Sequence, residues 1–410
     1  MEPKYSVEIP PIMAHPAAAA GVYIHFPFCL RKCPYCDFAS EAATPSSIDH
    51  SAYAAAVVRE ACLRASSGGV DATVASIYVG GGTPSLWAPE SLGRVLKAVR
   101  EEYEIIADDA EVTVECNPSS LDAVRARAIV EAGANRLSVG VQSVRDEDLA
   151  FLGRLHDAAT GMRAVEAAMA SGACRVSADL MHGLPRQSPS AAIEGAVALV
   201  RAGVGHVSAY LLSVEDGTEF GRASEAGTQL HAHDDVAAAS YLGVSDALVG
   251  AGFHHYEISN FCRLGEASMH NTAVWRGGSY VGLGAGAVGF VRGDGGAWVR
   301  YRNTTDSRRY MEGVRGAKHV AWDGTGWMES VERIDVATRV RERIMLGLRT
   351  AEGINWDSLA GDVGEVVLTP WRKRAMEALV RKGRLRQDGP SVWIPREQWL
   401  WESDTVARLI

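Results

Sequence analysis

Residues 21–40 read GVYIHFPFCLRKCPYCDFAS, with thiols at Cys29, Cys33 and Cys36. The apolar, β-branched run Val22 to Phe26 predicts a strand, so the three thiols fall on the loop that leaves it. At C-x3-C-x2-C spacing they can converge on one metal centre and still leave one corner without a protein ligand. A structural zinc closes its tetrahedron with four ligands, and iron–sulfur clusters ordinarily take four thiolates. Three thiols therefore suggest a centre that binds something else at its fourth corner. The competing reading is a zinc site completed by His25 or Asp37.

The rest of the composition fits a metal centre in a reducing compartment. The chain has 410 residues, is 47% hydrophobic and 22% charged, and holds 50 acidic against 41 basic residues for a net charge of −9. That balance speaks against nucleic acid as a partner. Cys62, Cys116, Cys174 and Cys262 are scattered, so seven cysteines do not make a disulfide framework. Residues 1–20 carry Pro10, Pro11, Pro16 and an alanine run without the basic and apolar regions of a signal peptide, and are expected to form a flexible tail. No apolar run approaches the roughly 18 residues of a membrane span. The expected location is the cytoplasm, with peripheral association at a membrane left open.

Beyond the cysteine loop the chain alternates in period. Short β-like runs at Ser76 to Val79, Glu111 to Glu115, Arg136 to Val141, Arg175 to Leu180 and His206 to Leu212 alternate with helical stretches. The helical stretches are Tyr53 to Arg64, Leu92 to Glu102, Ala123 to Ala132, Ala159 to Ala170 and Ala191 to Ala202. A βα repeat implies a parallel sheet lined with helices. About six units predict an α/β fold built as a partial (β/α)6, TIM-like barrel rather than a closed barrel of eight. Function then belongs at the C-terminal strand ends, where the cysteine loop lies. The other ends carry Gly80-Gly81-Gly82-Thr83-Pro84-Ser85, Glu115-Cys116-Asn117-Pro118, Gly140-Val141-Gln142-Ser143, Asp179, and Tyr210 with Glu215.

Taken together, C-x3-C-x2-C with Tyr35 before its last cysteine, G-G-G-T-P-S, Glu115, Gln142-Ser143, L-G-R-L-H (152–156) and Asp179-Leu180 resemble the radical S-adenosylmethionine (SAM) enzymes. Within them the chain is similar to the oxygen-independent coproporphyrinogen III oxidase group. The likeness extends through Y-E-I-S-N-F (256–261), His270-Asn271 and I-M-L-G-L-R (344–349). The resemblance implies a 4Fe-4S cluster on Cys29, Cys33 and Cys36, with SAM chelating the fourth iron. It implies SAM contacts from Tyr23, Tyr35, Gly82, Thr83, Glu115, Gln142, Arg154 and Asp179, among which Arg154 suits the methionine carboxylate. It also implies a low-potential electron donor such as flavodoxin or ferredoxin, and radical cleavage of the sulfonium.

The group divides by one residue. The true oxidases, which turn propionates of coproporphyrinogen III into vinyls, carry a further cysteine two positions after the cluster set, and here that position is Phe38. The form Cys36-Asp37-Phe38 resembles instead the heme chaperones of the group, which bind heme as cargo and pass it to membrane cytochromes. An H-N-x-x-Y-W motif is implicated in heme ligation in that branch. Here it reads His270-Asn271-Thr-Ala-Val274-Trp275, which makes His270 the candidate heme ligand and Trp275 a packing partner for the macrocycle. Val274 and Val288 depart from the branch pattern, where tyrosine and histidine are usual. Two alternatives stand beside the chaperone: the oxidase itself, with a porphyrinogen as substrate, and a radical enzyme acting on another substrate.

Three further features are expected to be structural. Gly284 to Gly289 spells G-x-G-x-x-G, but a helix does not follow it. His231-Ala-His233-Asp234-Asp235 precedes a helical run whose first turn suits aspartates. A barrel domain is expected over 21–295 and a smaller α+β, winged-helix-like domain over 296–410. The second should hold helices near Ile334 to Leu348 and Trp371 to Arg381 and a hairpin about Gly389-Pro390. Its basic residues, Arg372 to Arg374 among them, are expected to be a solvated face rather than a nucleic-acid surface.

Overall fold

Each predicted run forms the element its periodicity calls for. The structure, a computed structural model, describes residues 20–68, 74–103, 110–293, 296–322, 324, 326–364 and 366–410. Residues 1–19 of the expected tail, and Asp294 and Gly295 at the expected domain boundary, lie outside the described residues.

Six parallel strands, β1 (Ala20–Phe26), β2 (Val74–Gly81), β3 (Glu111–Cys116), β4 (Arg136–Gln142), β5 (Arg175–His182) and β6 (His206–Leu211), lie side by side in sequence order. Helices α1 (His50–Ser66), α2 (Pro89–Glu102), α3 (Ala123–Glu131), α4 (Ala158–Met169), α5 (Pro189–Arg201) and α6 (Asp234–Gly250) follow them in turn. Alternate residues of each strand face the helices. In β1 these are Val22, Ile24 and Phe26, all at 0% exposure, while Tyr23 and His25 fall on the opposite, interior face. Asp49, Asp122, Asp157 and Ser188 cap the N-termini of α1, α3, α4 and α5 by accepting backbone N–H bonds.

The sheet does not stop at six strands. A short antiparallel pair, β7 (His254–Glu257) and β8 (Asn260–Cys262), extends it past β6. Helix α7 (Met269–Trp275) then packs against β1 and β2, and β9 (Tyr280–Leu283) joins β1 in parallel. Antiparallel β10 (Val288–Arg292), β11 (Trp298–Asn303) and β12 (Met328–Ile334) continue the sheet, with α8 (Ser307–Gly316) between the last two. The main sheet therefore runs on to Ile334, beyond the boundary expected near residue 295. A second apolar core, from Val340 to Leu409, holds α9 (Val336–Leu348), α10 (Trp356–Val363) and α11 (Pro370–Arg381). A hairpin of β13 (Arg386–Asp388) and β14 (Ser391–Trp393) turns at Gly389-Pro390, giving the helix-and-wing arrangement expected.

The glycine run and the His231 to Asp235 stretch both have structural roles. Gly284 and Gly286 have positive φ and lead into β10 rather than a helix. Asp234 and Asp235 occupy the first turn of α6, with His233 at its N-cap.

Candidate functional site

Strand register brings the cysteine loop and the glycine loop together. Phe26 pairs with Gly81 at the ends of parallel β1 and β2, so both loops leave the sheet side by side. The cysteine loop is tied at its base: Glu41 N–H donates to Pro27 O at 2.9 Å and Ala43 N–H to Cys29 O at 2.8 Å. From the glycine loop, Gly82 N–H donates to Phe26 O at 2.8 Å and Thr83 N–H to Phe28 O at 2.9 Å. A Cβ on Gly82 would lie 2.7 Å from the carbonyl carbon and oxygen of Pro27, so this approach of two backbones requires glycine.

Above the strand ends lies a cavity of about 350 Å³. Cys29, Cys33 and Cys36 line it together with Tyr35, Gly82, Thr83, Glu115, Gln142, Arg154 and Asp179. Every residue assigned to the cluster or to SAM therefore meets there except Tyr23. The Tyr23 hydroxyl bonds His25 Nδ1 at 2.9 Å, and its ring stacks on Tyr78 with centroids 6.3 Å apart. It belongs to the layer beneath, where it supports the floor rather than lining the cavity.

The three thiols sit among donors. Thr83 Oγ1 lies 3.4 Å from Cys29 Sγ, and Arg154 Nη1 lies 3.7 Å from Cys33 Sγ. Burial pushes the Cys29 and Cys36 thiols above their ordinary value. A buried thiol in this state gains most when a cation replaces its proton. A zinc ion would need its sulfurs about 3.8 Å apart around bonds of about 2.3 Å. Among the described residues no three His, Cys, Asp or Glu draw together in that way. His25 is also unavailable to zinc, since Ala39 O takes its Nε2 hydrogen at 2.6 Å while Nδ1 accepts from Tyr23. The three thiols share one cavity, which is where a cluster held by three cysteines would sit.

The opposite wall is polar and partly uncompensated. Burial pushes the Glu115 carboxyl up to about 7, although Tyr78 donates to Oε1 at 2.8 Å and Gly81 N–H to Oε2 at 3.2 Å. Asp179 is raised by the same cause, with Ser138 Oγ at 3.5 Å. Arg154 is fixed by Gly140 O at 2.9 Å, and its buried Nε has no partner among the described residues. Gln142 holds φ +65°, a strained value for a side-chain-bearing residue, at the tip of β4. A guanidinium and two carboxyl groups lining one cavity suit a zwitterion with hydroxyl groups, which is the character of SAM.

Several lining residues escaped the sequence reading: Tyr78, Arg136, Ser138, His206, Ser208 and Asn271. The signal for the first five was the two-residue period that sends alternate strand residues inward, whereas Asn271 stands on helix α7. Arg136 is 2% exposed, and its Nε lies 4.0 Å from Glu111 Oε2.

His270 lies elsewhere. It is 6% exposed and does not line the cavity, although its neighbour Asn271 does. Its Nδ1 lies 3.1 Å from Ser76 Oγ, its ring stacks on Tyr78 at 5.2 Å, and burial lowers it to about 4. Gly21 makes room, since a Cβ there would meet the ring at 2.8 Å. The ring of Trp275 is covered by the guanidinium of Arg349 at 4.7 Å. In this conformation the His270 ring is buried, while Trp275 is half-buried.

Comparison with known proteins agrees with this architecture. A family model for the radical SAM superfamily matches residues 23–194, and one for the HemN C-terminal domain matches residues 334–401. The chain is 37% identical over 389 residues to the heme chaperone HemW of Mycobacterium tuberculosis, covering 92% of this chain and 97% of the relative. It is 35% identical over 389 residues to the mitochondrial radical S-adenosyl methionine domain-containing protein 1 of Mus musculus, covering 92% and 84%. Coproporphyrinogen III oxidase (HemN) from Escherichia coli shares the fold at a TM-score of 0.76 and 17% identity, over 97% of this chain and 91% of that one. With the cysteine loop, the strand-end cavity and the C-terminal domain in place, the chain belongs to the HemW heme chaperone family of radical SAM proteins.

Proposed function

We propose that the protein binds heme and hands it to membrane cytochromes, and that it carries a 4Fe-4S cluster on Cys29, Cys33 and Cys36 with SAM beside it. The observation that carries the cofactor half is the shared cavity: three thiols and the groups expected to hold SAM line one space of about 350 Å³. A cluster there supplies one-electron reducing power next to a sulfonium. The chain's own part is to hold and orient. Arg154, fixed by Gly140 O, would set its guanidinium beside a carboxylate, Glu115 and Asp179 present acceptors for hydroxyl or ammonium groups, and the Gly80 to Thr83 loop fixes the cysteine loop through two backbone bonds.

The chaperone half rests on Phe38 in place of the oxidase cysteine and on the similarity to proteins named heme chaperones. No helix among the described residues is long and apolar enough to cross a membrane, so delivery to a membrane acceptor would be made from its surface. We place the division between the two domains after Ile334, where the main sheet ends. The test is transfer: hemin-loaded protein is mixed with membranes depleted of heme, and cytochrome difference spectra are followed. Recovery of the cytochrome bands faster than with free hemin supports the reading. Recovery no faster than with hemin on serum albumin opposes it.

A further inference from the structure

Strand β4 does not end as its neighbours do. It pairs with β5 at Val139 with Ala178 and next at Gln142 with Leu180, so over that step β4 carries one residue more than its partner. A bulge of this kind re-aims the side chains around it. At its end Ser143 N–H donates to Val141 O at 2.9 Å across Gln142, whose φ is +65°. That is a γ-turn of the rare, strained hand. A strained turn persists only where its surroundings hold it. Close packing does not do so here, because Gln142 and Ser143 back onto a void of about 10 Å³ that His182 and Gln187 also line.

What holds the turn is a carboxylate. Asp148, 4% exposed on the short helix Asp146–Phe151, accepts at Oδ2 from Ser143 Oγ at 2.8 Å and from Gln187 Nε2 at 3.0 Å. Gln187 reaches on to Met181 O at 3.4 Å, near the end of β5. The Ser143 hydroxyl also accepts from Arg145 N–H at 3.2 Å, which fixes the entry to the helix. From the other side His156 Nε2 donates to Val141 O at 3.1 Å. The Gln142 side chain folds back over Gly140, where an added Cβ would lie 2.9 Å from Gln142 Nε2 and 3.6 Å from Arg154 Nη2. Amide and guanidinium therefore lie over one glycine, and all three residues line the cavity.

We infer that Asp148 is the positioning residue for Gln142: by holding Ser143 it keeps the turn closed and the Gln142 amide beside Arg154 on the wall assigned to SAM. The inference rests on the SAM reading above and adds which residue sets that wall. Asp148 itself does not line the cavity, so its effect on SAM passes through Gln142. The turn needs an acceptor from Asp148 rather than a charge, since both bonds end on one oxygen.

The test uses the full chain, reconstituted anaerobically, with iron content showing the cluster present and SAM affinity measured by equilibrium dialysis. Asp148→Ala is expected to weaken SAM about tenfold. Asp148→Asn, which keeps an oxygen for both donors, is expected to recover the affinity to within about threefold of the parent. Gln142→Ala is expected to weaken SAM, and adding Asp148→Ala to it to weaken SAM no further, as for residues that act as one unit. Ser143→Ala cuts the same link with the carboxylate left in place, and carries the test if Asp148→Ala does not fold. Unchanged SAM affinity in cluster-loaded Asp148→Ala, Ser143→Ala or Gln142→Ala overturns the assignment. So do additive losses in the double variant, or an Asp148→Asn protein as weak as Asp148→Ala. A parent protein that keeps its cluster and binds no SAM overturns the SAM reading instead.

Discussion

Gly82→Ala tests the geometry on which the cavity depends. The added methyl would sit 2.7 Å from the carbonyl carbon and oxygen of Pro27 and 2.8 Å from Phe28 O, atoms of backbone that cannot rotate aside. Ordinary contact begins near 3.4 Å, so the two loops must separate by about 0.7 Å. Overpacking of this kind costs about 1–3 kcal/mol. The separation also stretches the bonds from Gly82 N–H to Phe26 O and Thr83 N–H to Phe28 O, each worth about 1 kcal/mol. A loss of about 2–4 kcal/mol lowers the unfolding midpoint by roughly 3–6 °C in a domain of this size. Because the strained contact is at the root of the cysteine loop, retained iron after anaerobic reconstitution should fall together with stability. Thermal unfolding followed by circular dichroism, beside iron and sulfide analysis, makes the measurement. Gly250→Ala is the control, since a Cβ there meets nothing within 4 Å. A Gly82→Ala protein that melts within about 1 °C of the parent and retains full iron would refute the reasoning.

Other expectations concern the walls of the cavity and the layer beneath. Glu115 is raised to about 7 in the folded chain, against about 4.3 when unfolded. Between those values the folded state holds a proton that the unfolded state has lost, so its contribution to stability falls as pH rises from about 4.5 to 7. Glu115→Gln should flatten that slope in the cofactor-free protein, and melting curves with unchanged slope would contradict it. Arg154→Gln removes a charged donor facing the cavity and is expected to weaken SAM binding about 10- to 100-fold by equilibrium dialysis, with iron content the check that the cluster remains. His270→Ala should lower the melting temperature by several degrees through the emptied site between Ser76 and Tyr78. It should shift hemin affinity by less than about threefold; abolished hemin binding without loss of stability would put the heme ligand at that histidine after all.

Much of this was legible in the sequence because period and spacing are local properties. The βα alternation gave the parallel barrel, and the rule that such barrels work at their C-terminal strand ends led from Cys29 to Gly82, Glu115, Gln142 and Asp179. Depth was harder to read. Tyr23 is on the correct, inward face of β1, but it lies three residues before Phe26, about 10 Å below the rim. That level of the interior is filled by Tyr78 and His25. The burial of His270 was hard to read for a related reason. Its motif names the residue, but whether α7 opens to a ligand or packs under the sheet depends on Gly21 and Ser76, which lie far away in the chain. The antiparallel strands β10 to β12 were likewise invisible, because their register is set by the edge that β9 presents and not by a pattern within themselves.

The central proposal is that the strand-end cavity of this chain holds a cluster and SAM while the protein serves as a carrier of heme. The most direct measurement is anaerobic incubation of the reconstituted protein with SAM, a low-potential reductant and coproporphyrinogen III, with the porphyrin products separated by chromatography. The same preparation is titrated with hemin in parallel. The account predicts stoichiometric hemin binding and coproporphyrinogen recovered unchanged. Formation of protoporphyrinogen would contradict it and make the protein an oxidase in spite of Phe38.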